Sequence, residues 1–204
     1  MEERLYIVDG PISVSRTVEK DGRLSLSFLV LPGVSAGVDV SVDIAGEGAE
    51  VSLSGVCLSS GEDRVDFRIR LSHSCGGSVS SQKFHCIAAG KSSVGFDGKI
   101  IVATDAQKTE AYQENHNILV GDFSKARTTP QLEIYADDVK CSHGATVGRL
   151  DEQARFYMLS RGIPEDEAKA LQLMSFVAPA LEQFPEARRD AVTEMVEKSI
   201  RSLL

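Results

Sequence analysis

The chain has 204 residues, 42% of them hydrophobic and 25% charged, which is the balance of an ordinary globular protein with one sizeable core. Aromatic residues make up only 6% and tryptophan is absent, so the core has to be built mainly from Val, Ile, Leu and Ala. A formal charge of −8 argues against nucleic acid as a partner, because phosphate binding needs a basic surface. No apolar run approaches the length of a membrane span, and Met1-Glu2-Glu3-Arg4 does not read as a signal peptide, so a cytoplasmic protein without a membrane partner is expected. Cys57, Cys75, Cys86 and Cys141 could pair by count, but a reducing compartment argues against disulfides. Without a Cys-x-x-Cys there is no basis for a zinc ribbon or a thioredoxin-like site.

From about residue 5 to residue 148 the sequence alternates with period two. Leu24 to Phe28, Val38 to Ile44, Val51 to Ser54, Val65 to Leu71 and Lys99 to Val102 read as strands, punctuated by Gly46-Glu47-Gly48, Ser59-Ser60-Gly61 and Gly76-Gly77. Strands at this spacing suit a sandwich or a solenoid. Small or polar outward positions and short turns without a dominant Asn-Gly or Asp-Gly hairpin signal favour the solenoid, although no strict sequence repeat is visible.

After Gly148 the period changes. Asp151 is placed to cap a helix over 152–161 that Gly162 ends. Pro164 opens a second helix with Glu165, Asp166 and Glu167 at the positive end of its dipole. Ala168, Leu171, Met174, Ser175 and Ala178 form its expected apolar face, and Pro179 should kink or break it. Pro185 opens a third helix with Ala191, Val192, Met195, Val196, Ser199, Ile200 and Leu203 on one side. The chain thus divides into a β region, 1–148, and a helical region, 149–204, whose apolar faces need either the β region or another protein as cover.

The segment from Pro130 through Cys141-Ser142-His143-Gly144 to Thr146 carries the most chemical information. In a strand, residues two apart point to one face, so Cys141 and His143 form a paired thiol and imidazole. This segment, together with Lys108 to Gln113, Gly148 to Glu152, Phe156-Tyr157 and Ser160 to Pro164, resembles the SufB and SufD proteins of iron–sulfur cluster assembly, SufD more than SufB. The resemblance is dense over about 105–184. It implies a right-handed parallel β-helix followed by a small helical region. It also implies an assembly with a SufC-like ABC-type ATPase, which binds the helices, and with a SufB-like chain or a second copy, which pairs through the β-helix. A transient iron or iron–sulfur cluster at that subunit interface, with His143 among its ligands, is implied as well. Members of the family usually carry a long amino-terminal region before the β-helix, whereas Met1 stands almost directly at the β pattern, so a short form, a paralogue or a truncated product is expected.

Thiolate and imidazole are suitable ligands for such a cargo, which makes His143 and Cys141 the candidate cofactor and metal residues, with the imidazole expected to project outward at a seam between subunits. Cys141 also reads as a buried small hydrophobe and His143 as a hydrogen-bonded edge residue. His73 and Cys75, Cys57 and His116 are read as structural, His116 in a turn or an interface. His85 and Cys86, being adjacent, face opposite sides of a strand. Asp137-Asp138 fits a solvated turn. There is no phosphate-cradling glycine loop, so no nucleotide is assigned to this chain, and no catalytic constellation is present. Met174, Phe176 and Val177 are the candidate partner-binding residues. The expectation is therefore a non-enzymatic scaffold for cluster assembly; the alternative is a module of the same fold that dimerises without handling iron.

Overall fold

The structure, a computed structural model, describes residues 1–204. Eleven strands come first: β1 (Glu2–Val8), β2 (Ile12–Val18), β3 (Arg23–Val30), β4 (Ala36–Ile44), β5 (Glu50–Ser59) and β6 (Arg64–His73), then β7 (Val79–Ala89), β8 (Ser93–Val102), β9 (Glu110–Val120), β10 (Lys125–Ile134) and β11 (Lys140–Gly148). Three helices follow, α1 (Glu152–Ser160), α2 (Glu165–Leu181) and α3 (Glu186–Leu203). Odd strands form one six-stranded sheet, β1-β3-β5-β7-β9-β11, and even strands a five-stranded sheet, β10-β8-β6-β4-β2. Every pairing is parallel and skips one strand, so the chain winds as a solenoid. Hairpin pairing, which the sandwich alternative requires, does not occur.

Side chains that touch across neighbouring turns lie about 30 positions apart in sequence, for example Ser27 with Ser54 and Gln82 with Gln113. The repeat is recorded in backbone geometry rather than in side-chain identity. At the corners entering β3, β5, β7 and β9 stand Asp21, Gly48, Gly77 and Lys108, with φ of 55°, 70°, 67° and 60°. At the corners entering β4, β6, β8 and β10 stand Gly33, Gly61, Gly90 and Gly121, with φ of 88°, 55°, 68° and 100°. Each corner needs a left-handed residue, and glycine occupies that conformation without a Cβ clash. Lys108 bears that clash, so Lys108→Gly should raise stability by about 0.5–1 kcal/mol in urea denaturation; an unchanged midpoint would show that the lysine makes an offsetting contact.

The interior between the two sheets is filled by one face of each strand, with Val, Leu, Ile and Phe completely buried. Phe84 sits between Phe67 and Phe96, with ring centroids 5.3 and 5.2 Å away. Gly55, its register neighbour on β5, makes room: a Cβ there would lie 2.3 Å from the Phe84 ring.

The helices fold back onto the outer face of the six-stranded sheet. Leu29, Val56, Leu58 and Ile87 meet Leu173, Val177, Ala180 and Leu181 of α2 and Val192, Val196 and Ile200 of α3 in a second core. Asp151 caps α1 as its sequence position requires, its Oδ1 accepting from the Gln153 and Ala154 N–H groups at 2.8 and 3.1 Å. Gly162, at φ 83°, ends it. Pro179 falls in the last turn of α2, which stops at Leu181, so the helix ends near the proline instead of continuing past it. On α3 the expected Val192, Val196 and Ile200 are buried and Met195, Ser199 and Leu203 half-covered, but Ala191 is exposed, whereas the face of α2 is rotated. Of the residues expected there Ala168 is buried, but Leu171 is 46% exposed, and Ala170, Leu173, Val177 and Ala180 are buried in its place. No helix is long and apolar enough to cross a membrane.

Beyond β10 and β11 there is no further turn. Pro130, which cannot donate a ladder hydrogen bond, fits in β10 because that strand has a neighbour on one side only.

Candidate functional site

The register defines how Cys141 and His143 are presented. Cys141 lies beside Ala111, and His143 beside Gln113. Ala111 and Gln113 are buried in the interior of the turn below. Side chains on one face of a parallel ladder stack in register, so Cys141 and His143 continue interior columns. The imidazole therefore does not project from the outer wall of the coil, as expected, but stands over its open end. It is nevertheless exposed, because no turn follows to cover it. Cys141 is half-buried against the interior cluster. Burial raises its thiol pKa, and a hydrogen bond with the Ala111 backbone opposes that shift.

The interior changes character toward this end. One column runs Leu26, Leu53, Gln82, Gln113, His143, and a second runs Leu24, Val51, Ser80, Ala111, Cys141. A third passes from Phe84 to Asn115, and a fourth from Cys86 to Asn117. Buried amides satisfy one another where they can: Gln113 Nε2 donates to Gln82 Oε1 at 3.0 Å, and Asn117 Nδ2 donates to Asn115 Oδ1 at 2.8 Å. Gln113 Oε1, one register step below His143, is buried without a partner, and so is Thr128 Oγ1 on β10. An orphaned acceptor of this kind is costly, and a donor above it would relieve it. These polar columns were visible as Gln113, Asn115 and Asn117 at alternate positions, a pattern that reads as solvent-facing until the register shows it pointing inward.

The other three histidines are engaged. His73 is buried, with Nδ1 2.8 Å from Ser78 Oγ and Nε2 2.8 Å from Ser80 Oγ, and burial lowers its pKa to about 4. His85 lies on the outer face under α2, where its Nδ1 donates to the Phe176 carbonyl at 2.5 Å. Burial lowers its pKa to about 4 despite that bond. His116 lies mid-strand in β9 rather than in a turn, half-buried, with Nδ1 2.8 Å from Thr146 Oγ1. Cys57 and Cys86 are buried register neighbours; the adjoining Cys86 thiol and burial push the Cys57 thiol well up. Cys75 is in the turn after β6, donating to the Ala45 carbonyl. Asp137 and Asp138 occupy the turn before β11, as expected. Nowhere do three His, Cys, Asp or Glu side chains converge as a metal site.

The helical candidates divide. Val177 is fully buried between α2 and the sheet, so it packs this chain onto itself and is not available to a partner. Met174 and Phe176 are half-covered, Phe176 with its ring 4.9 Å from that of His85. The most exposed large apolar side chains of the helices are instead Phe156 (73% exposed) and Tyr157 (59%) on α1 and Leu171 on α2, and Leu171 lines a groove of about 420 Å³ with Ile118, Leu150, Ala154 and Met158. The amphipathic reading missed Phe156 and Tyr157 because α1 buries no residue at all.

A parallel β-solenoid that ends on an exposed His- and Cys-bearing strand, with three helices folded onto one wall, defines the structural class. Residues 12–176 match the family model described as "SUF system FeS cluster assembly, SufBD core domain", and the chain belongs to that family. It is 39% identical over 166 residues to the iron–sulfur cluster assembly protein SufD of Escherichia coli, covering 81% of this chain and 38% of that protein. It is 27% identical over 162 residues to SufD of Bacillus subtilis, covering 79% of this chain and 37% of the relative. It is 35% identical over 137 residues to the chloroplastic protein ABCI7 of Arabidopsis thaliana, covering 67% and 28%. The chain thus spans less than two fifths of the length of these relatives.

Proposed function

We propose that the chain is a non-enzymatic scaffold of iron–sulfur cluster assembly. It offers His143, together with Cys141, to iron or a nascent cluster passing through a subunit interface. The observation that carries this reading is the placement of His143: it is the one histidine without a hydrogen-bond partner, and it is exposed on a last strand that has a free edge. A free strand edge favours pairing with another chain. Two ligands do not complete the coordination of iron, and no third gathers within this chain, so a SufB-like chain or a second copy would supply the rest. Coordination by Cys141 requires its thiolate, which burial disfavours, so His143 is the leading ligand. The exposed aromatic pair Phe156 and Tyr157 supports recruitment of a SufC-like ATPase through the helices.

The test is anaerobic reconstitution with iron and sulfide, alone and with SufB- and SufC-like chains. Cluster absorbance should fall at least several-fold in His143→Ala, while capture of the ATPase is kept. Capture should fall in Phe156→Ala/Tyr157→Ala. Unchanged absorbance in His143→Ala would favour a module of this fold that dimerises without handling iron.

A further inference from the structure

The strand that carries His143 is held from one side only. β11 is a sheet edge whose nine-residue ladder runs to β9 alone, and side chains reaching it from β9 add to that ladder. From inside, Asn117 Nδ2 donates to the Thr146 carbonyl at 3.0 Å. From outside, His116 Nδ1 and Thr146 Oγ1 share a hydrogen bond at 2.8 Å. The His116 ring stands edge-on to that of His85, with centroids 5.1 Å apart and planes at 75°. His85 in turn donates from Nδ1 to the Phe176 carbonyl of α2. His85, His116 and Thr146 form one row across three successive turns, in register. Every link is a direct contact, and the row ends on a helix at one side and, at the other, three residues from His143.

We propose that His85 and His116 form a bridge through which the seating of α2 fixes the position of β11. His85 and His116 are positioning residues: neither is placed to reach the cargo. The meaning of the bridge for cluster assembly rests on the function proposed above, whereas the coupling itself does not. Coupling between two elements is reciprocal, so loosening either end should loosen the other. A pair of histidines that merely packs a helix on a sheet would transmit nothing to β11.

Amide hydrogen exchange of the full chain tests this, read over 140–148, 165–181 and, as a control on the sheet that the helices do not cover, 36–44. Thr146→Val removes a hydroxyl at an exposed position and keeps the shape. It should speed exchange in 140–148 by roughly five- to tenfold and in 165–181 by about twofold or more, with 36–44 unchanged. His85→Leu removes the donor and keeps bulk under α2; it should speed 165–181 and also 140–148, which His85 does not touch. Each variant loosening only the segment it contacts would overturn the bridge. If His85→Leu also speeds 36–44, the whole chain has been destabilised and Thr146→Val decides alone. Cluster absorbance is not part of this readout, so a failure of the His143→Ala reconstitution leaves the test intact.

Discussion

Truncating Phe84 to alanine should destabilise the chain by about 3–5 kcal/mol, the range for removing a fully buried phenylalanine ring. Phe84 is fully buried, between Phe67 on the facing sheet and Phe96. The neighbour that would have to collapse into the space is Gly55, which has no side chain to move. The surrounding strands are fixed in register by parallel ladders on both sides, so relaxation by backbone shift is small and the cavity term stays near its full value. The same geometry makes a second, opposite statement. Gly55→Ala alone should be strongly destabilising, because its methyl would overlap the ring, yet in the Phe84→Ala background it should recover part of the loss by filling the void. Urea denaturation of the four proteins of this cycle measures both. A Phe84→Ala cost below about 1 kcal/mol, or additive effects of the two substitutions, would mean that this part of the interior is not close-packed.

That contact also shows where the sequence was legible. Val38 to Ile44 and Val65 to Leu71 carry strict alternation, and they are strands with the apolar set inside. The helix limits at Asp151 and Gly162 were legible because capping is local chemistry: one side-chain acceptor and one left-handed backbone. The winding of the chain was only weakly legible from the strands. Its repeat resides in the left-handed corners, where Asp21 and Lys108 replace glycine and hide the period. The direction of His143 was not legible at all. A strand pattern states which residues share a face, not which face is inside, and the answer depends on Gln113 being buried a turn below. Val177 and Leu171 were misassigned for a related reason. Helical spacing fixes a face up to rotation, and the rotation of α2 is set by Val56, Leu58 and Ile87 on the sheet beneath it. The family itself was legible from the segment around Cys141 and His143, because a resemblance in residue order does not depend on geometry.

Acidification should weaken the fold at two places, both through histidines held neutral by burial. His73 and His85 have pKa values near 4 in the folded chain against 6.5 when exposed. For His73, burial between the two sheets is the cause. For His85, burial is again the largest cause, and His116 and Lys83 add repulsion, while the Phe176 carbonyl and Glu114 pull the other way. The unfolded chain takes up these protons as pH falls through 6.5, and the folded chain does not until about 4. The stability they confer is therefore complete above pH 6.5, falls between 6.5 and 4, and changes no further below that on their account. The upper bound is on the order of 3 kcal/mol for each. Carboxylates such as Asp39 beside Arg68 and Glu167 beside Arg201 have lowered pKa values, so their contribution is lost as pH falls below the ordinary carboxylate range, after the histidine window. Because His85 lies under α2 and His73 inside the solenoid, the two protons act on different parts of the molecule. Protonating His85 should loosen the helices, seen as faster amide exchange over 165–181. Protonating His73 should lower the global urea midpoint. His73→Asn and His85→Gln should each be less stable than the parent at pH 7 and show a shallower fall between pH 6.5 and 4. Parallel pH profiles for parent and variants would mean that these rings are not held neutral by burial.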